Sequence, residues 1–135
     1  MMASIVSGPI EIDDLLRKLN KDNTGAIVTF TGTVREKSDN VTVRALQYEA
    51  YREMAESVII NILTDSLKKF ALVDAVVLHR IGHLGIGEAS IAIAVSAQHR
   101  REAFEGCSEI LERIKAEAPI WKKDIIDEER TRWHD

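Results

Sequence analysis

The chain has 135 residues, 45% of them apolar and 30% charged, with a formal net charge of −4. That is the size and balance of one folded domain, residues 1–135, and it excludes a disordered or fibrous segment. It also excludes a general nucleic-acid binder, which needs a broad lysine and arginine excess. The single cysteine, Cys107, excludes an intrachain disulfide, and no apolar run approaches the ~20 residues that cross a bilayer. Met1–Ile10 lacks the basic-then-apolar order of a leader, so a cytoplasmic protein with no membrane contact is expected.

Ile12, Leu15, Leu16 and Leu19 recur at helical spacing, which predicts a short amphipathic helix over 12–20. Gly25–Arg35 alternates: Ala26, Val28, Phe30, Gly32 and Val34 share one face, and Ile27, Thr29, Thr31, Thr33 and Arg35 the other. After a polar turn at Glu36–Asn40, Val41–Tyr51 is predicted as a second strand, antiparallel to the first. Met54, Val58, Ile59, Ile62, Leu63, Leu67 and Phe70 mark a second helix. Asp74–Leu84 is predicted as strand, Gly82, Gly85 and Gly87 as a turn, and Glu88–Ala97 as an apolar strand.

The clearest helix is Arg100–Ala118, with Ala103, Phe104, Cys107, Ile110, Leu111, Ile114 and Ala118 in one stripe. Pro119 ends it, because the residue before a proline is pushed out of the helical region. Ile120–Ile126 is predicted as a closing strand, and the charged tail, 127–135, carries no prediction. Helices mixed with adjacent strand pairs make the expected class α+β with largely antiparallel pairing.

Lys115 ends the long helix and Lys122 lies just inside the next strand, with Pro119 turning the chain between them. Two amines brought to one pocket depress each other's pKa and suit proton transfer or nucleophilic work. Ordinary surface lysines, one favouring the helix macrodipole, fit the same spacing. His99 and Arg100 stand at a helix N-terminus, where free N–H groups and a guanidinium suit an anion; ordinary first-turn surface charge fits equally. Arg35 closes a row of threonines and could serve an anion or reach into solvent. His79 and His83, four apart on a strand, are ~13 Å apart and cannot chelate one ion. Cys107 sits in the apolar stripe, where an inert buried thiol is the usual outcome. No metal and no cofactor are expected, and Trp121 is expected as a core or interface aromatic.

In order and at compatible spacing, four stretches resemble the large, catalytic subunit of molybdopterin synthase, the MoaE family. They are Gly25–Arg35, Leu46-Gln-Tyr-Glu-Ala-Tyr51, His79-Arg-Ile-Gly-His-Leu-Gly-Ile-Gly-Glu88 continuing to Ser96-Ala-Gln-His-Arg-Arg-Glu-Ala-Phe104, and Leu111–Lys123. The resemblance spans roughly residues 5 to 126. It implies an α/β hammerhead-type core with an additional antiparallel β subdomain. It implies a homodimer, each end of which binds a small ubiquitin-like sulfur-carrier subunit with a Gly-Gly C-terminus. The carrier's terminal thiocarboxylate donates sulfur to cyclic pyranopterin monophosphate, forming the dithiolene of molybdopterin. By position, the family's essential lysines fall on Lys115 and Lys122, and its anion-pocket residues on Arg35, His99 and Arg100. Asp124 stands where glutamate or another residue is common, and the tail lacks a glycine-tryptophan end although Trp133 remains.

Two rival readings remain for the residues themselves. One is a non-catalytic module that holds a ubiquitin-like partner or an anion. The other is a phosphate hydrolase, which would need a metal or a paired acid–base set.

Overall fold

The structure is a computed structural model that describes residues 1–38, 41–126 and 130–134. The chain runs β1 (Met2–Val6), α1 (Ile12–Lys18), β2 (Ala26–Thr33), β3 (Lys37–Ser38), β4 (Val41–Thr42), β5 (Ala45–Ala50) and α2 (Arg52–Lys69). It continues through β6 (Leu72–Arg80), β7 (Gly82–Gly85), β8 (Ala89–Ala97), α3 (Arg100–Glu117), β9 (Ile120–Ile125) and β10 (Thr131–His134). The result is a mixed α+β fold.

One sheet has the order β1-β6-β8-β2. It is covered on both faces, which is why β6 and β8 are apolar almost without alternation. Residues of α2 and α3, including Ile59, Leu63, Ile110 and Ile114, pack on Val77, Ile93 and Val95. On the other face Leu15 and Leu19 pack with Val76, Leu78, Ala92 and Ala94. β2 lies at the sheet edge and alternates as expected, with Ile27, Thr29, Thr31 and Thr33 exposed.

The second sheet has the order β10-β9-β5-β7. Here the expected pairing is corrected: β5 runs antiparallel to β7 and β9, not to the first long strand. β2 gives its one ladder to β8, leaving β5 to start the second sheet beyond the β3–β4 hairpin. Lys37 and Ser38, expected in a turn, are β3, and Asp39 and Asn40 lie outside the described residues. The stretch expected as one strand from Asp74 to Leu84 breaks at Ile81, followed by Gly82 at φ +96°.

Two strands carry no periodicity strong enough to read. β1 pairs parallel with β6, and its outer edge is met by α2 side chains. Glu56 accepts from the Ile5 amide at 2.8 Å and Arg52 donates to the Ile5 carbonyl at 2.6 Å. Edge backbone groups thus find partners. β10 folds the tail back on β9, where Arg132 bonds the buried Asp124 at 2.5 Å. Two stripe residues are also corrected: Met54 is 59% exposed and Phe104 61%. Each flanks its helix's buried line rather than lying in it.

Candidate active site

α3 ends where the sequence requires. Ala118 is extended, at ψ 135°, because Pro119 follows it, and its amide still bonds the Ile114 carbonyl. The Pro119 carbonyl then accepts from the Tyr51 amide at 3.1 Å, tying the turn to the end of β5. The chain therefore leaves α3 directly into β9, in the second sheet. Lys115 and Lys122 come to the junction between the two sheets.

A cavity of about 570 Å3 opens there. Phe30, Tyr48, Ile91, Leu111, Ile114 and Trp121 form its apolar and aromatic walls, and Arg35, Lys115 and Lys122 line it with charge. Arg35 is placed by backbone. The neighbouring Val34 is buried, its amide donates to the Glu88 carbonyl at 3.0 Å, and its carbonyl accepts from Gly87 at 2.8 Å. That turn is itself strapped, since Glu88 bonds Arg80 at 2.8 Å and the Gly85 amide at 2.7 Å. The Arg80 hydrogen bond holds the Glu88 carboxyl below the usual carboxylate range. Alternation along β9 separates its two lysines. Lys122 lines the cavity, while Lys123 lies over the Trp133 ring at 4.9 Å.

Among the described residues, Arg35, Lys115 and Lys122 enter no ion pair, whereas Arg80, Arg113 and Arg132 each hold a carboxylate. Three cations from different elements therefore face an apolar-walled cavity in a chain of net charge −4. Such a site suits a small anionic molecule.

His99 and Arg100 lie elsewhere. They begin α3, and Lys115 is fifteen positions further on, ~22 Å along the helix axis. His99 is the N-cap without a side-chain cap bond; its side chain is 79% exposed, 3.9 Å from Glu102. Arg101 is taken by Glu105 at 3.1 Å, and Arg100 is exposed. The five residues do not form one pocket within one chain.

The cavity also holds residues that the sequence reading did not assign. Tyr48 and Ser90 line it, and so does His79, weighed before only as a metal ligand. His79 is buried, and burial lowers its pKa to about 4, so it is neutral near pH 7. Its Nδ1 lies 3.0 Å from the Arg80 carbonyl and therefore carries the proton. Trp121, expected as a core or interface aromatic, is half-buried at the cavity, with its indole N–H donating to Glu49 at 3.2 Å. Tyr48 belongs to the stretch Leu46–Tyr51, but its place opposite Lys122 depends on a strand register that no local pattern reveals. Cys107 is buried on α3, and burial pushes its thiol up to about 11. Among the described residues no group of three or more His, Cys, Asp or Glu could hold a metal ion. Among them, too, no helix is long and apolar enough to cross a membrane.

Residues 5–117 match the family described as MoaE protein. The molybdopterin synthase catalytic subunit of Thermoplasma volcanium is 49% identical over 121 residues, 90% of this chain and 88% of that protein. The crystal structure of molybdopterin synthase from Staphylococcus aureus superposes with a TM-score of 0.93 at 36% identity, covering 98% of this chain and 96% of that one. A chain from the complex of subunits 1 and 2 of the molybdopterin-converting factor of Helicobacter pylori superposes at 0.77 with 26% identity, covering 98% and 90%.

Proposed function

The chain belongs to the MoaE family, and from that premise we propose that the cavity at the end of α3 is where sulfur reaches a pterin precursor. The family is that of molybdopterin synthase catalytic subunits, so the chain is a sulfur-transfer enzyme of molybdopterin synthesis that works with a small subunit. The donor assigned here is the thiocarboxylate at the Gly-Gly end of a ubiquitin-like carrier. The acceptor is cyclic pyranopterin monophosphate, and the setting is the cytoplasm.

One observation carries this reading: three cations without ion pairs among the described residues line one aromatic-walled cavity. Its volume lies within the ~300–1,000 Å3 range of small-molecule sites. Each transfer forms a carbon–sulfur bond on the pterin and breaks the carrier's acyl carbon–sulfur bond. Water supplies the oxygen with which the carrier leaves as a carboxylate. Lys115 stabilises negative charge at the carrier's terminal carbonyl. Lys122, on the facing strand, acts as acid–base partner or orients the pterin. Arg35 completes the anion pocket.

His99 and Arg100 are too far from this cavity to serve it in the same chain. In a homodimer they would hold the substrate phosphate in the partner's cavity, with the helix N-terminus adding free amide N–H groups. Each cavity then draws on both copies, and the heterotetramer adds one carrier at each end.

The test is reconstitution with a thiocarboxylated carrier and cyclic pyranopterin monophosphate. Wild type should yield molybdopterin. Lys115→Ala should fold and bind the carrier yet make dithiolene about 10²–10³-fold more slowly; near-normal product from it would end the assignment.

A further inference from the structure

The tail strand contributes to both faces of β9. β10 is the antiparallel neighbour of β9, with Trp133 opposite Lys123 and Arg132 opposite Asp124. Directly paired residues share a face, and successive residues alternate. Lys122 and Asp124 therefore lie on one face of β9, and Lys123 on the other. On the face of Lys123, its ammonium lies over the Trp133 ring at 4.9 Å. On the opposite face Lys122 lines the cavity, and Asp124, paired with the core residue Leu46, is only 1% exposed.

Two residues along a strand span ~7 Å, a gap that the flexible four-carbon stem of a lysine can close. A buried carboxylate also demands a cation, because an unpaired charge is costly to bury. Asp124 has Arg132. The guanidinium donates from Nε at 3.0 Å and from a terminal nitrogen at 2.5 Å, both to the Oδ2 atom of Asp124. Two donors of one rigid planar group fix the direction of that carboxylate. Lys122 enters no ion pair among the described residues, although a buried carboxylate lies two positions away on its own face. The carboxylate is turned to the tail instead.

We propose that Arg132 is a positioning residue of the cavity in its own chain: by holding the Asp124 carboxylate, it leaves the Lys122 ammonium unpaired for the incoming anion. The inference rests on the sulfur-transfer reading of this cavity and extends it to the tail strand. Arg132 and Asp124 together carry no net charge, so the pair neither attracts nor repels the substrate strongly. Without the guanidinium, Asp124 loses a cation, and Lys122 is within reach to replace it. A Lys122 held by Asp124 would be turned from the cavity and its charge neutralised, so it could neither draw in an anion nor serve as acid–base partner. Arg132 itself touches no reacting atom; it acts through Asp124.

The experiment compares wild type, Arg132→Gln, Asp124→Asn/Arg132→Gln, Lys122→Ala and Lys122→Ala/Arg132→Gln in single-turnover sulfur transfer. Each is mixed with the same thiocarboxylated carrier and cyclic pyranopterin monophosphate. Arg132→Gln keeps a hydrogen-bond donor for Asp124 and removes only the charge. Its rate should fall about tenfold, less than for Lys122→Ala, because the ammonium is misplaced and not lost. Asp124→Asn/Arg132→Gln has no carboxylate to capture Lys122 and should return to within about threefold of wild type. Arg132→Gln should cost nothing further once Lys122 is alanine. A tail that merely anchors β9 would show neither the rescue nor the dependence on Lys122. Wild-type turnover by Arg132→Gln beside a slow Lys122→Ala would overturn the proposal and leave the cavity assignment standing. A slow Asp124→Asn/Arg132→Gln would overturn it too, and that variant decides alone if Arg132→Gln does not fold. Normal turnover by Lys122→Ala would instead remove the reading on which the proposal rests.

Discussion

The two ends of α3 are both basic and differ in everything else. At the C-terminal end, Lys115 faces a walled cavity with Lys122, Arg35, Tyr48 and Trp121 around it. At the N-terminal end, His99 and Arg100 stand exposed, with no wall of the same chain around them among the described residues. Charge that works on a bound molecule needs partial exclusion of water, because solvent screens it otherwise. The first end has that enclosure within one chain. The second can gain it only from another surface, which is why it is given to a second copy.

The largest expected effect is at the enclosed end. Lys115→Ala and Lys122→Ala should each lower single-turnover sulfur transfer by about 10²–10³-fold, the scale of losing one preorganised electrostatic contact. Equal effects of alanine at Lys123, which lies over Trp133 on the other face, would blur the distinction between cavity and surface.

The next effect separates interior from exterior by pH. His79, in the cavity wall, has a folded-state pKa of about 4 against 6.5 in solution. Between those values the unfolded chain takes up a proton that the folded chain refuses. Stability should therefore fall as pH drops from about 6.5 to about 4, by at most ~3 kcal/mol from this group. Urea midpoints measured across that range should show a shallower pH dependence in His79→Gln. An unchanged slope would mean that His79 is not held neutral.

Smaller effects are expected at the exposed end. Arg100→Ala should raise KM for the pyranopterin about ten- to a hundredfold, the scale of one charge-assisted hydrogen bond, with the rate at saturation far less affected. His99→Ala should follow in the same direction. Steady-state kinetics would show the split, and a loss confined to the saturated rate would argue against phosphate binding. The smallest effect belongs midway along the helix. Cys107→Ala should keep full turnover and lose about 1 kcal/mol of stability, since sulfur arrives on the carrier and the thiol only fills the core.

Much of this was legible in the sequence. Pro119 marked the end of α3, and the alternation of β2 placed Arg35 at its close. The spacing of Ala103, Cys107, Ile110 and Ile114 described the buried face of α3. What escaped was pairing. Val41–Tyr51 is as compatible with β2 as with β9, because strand chemistry does not name a partner. The same gap concealed Tyr48 opposite Lys122 and His79 beside them, three side chains from three strands. Family resemblance grouped His99 and Arg100 with the lysines but could not say whether they share a chain. Helix length decides that, since ~22 Å separates the two ends.

The comparison between the two ends is tested most directly by mixing two variants. Lys115→Ala and Arg100→Ala, each impaired alone, are unfolded together, refolded and assayed with thiocarboxylated carrier at low pyranopterin concentration. If each cavity uses Lys115 of one copy and Arg100 of the other, the mixture should recover about a quarter of wild-type activity. Half the reassorted dimers are mixed, and one site in each is whole. Activity no higher than the average of the separate variants would contradict the account, because Lys115 and Arg100 would then not meet across two copies.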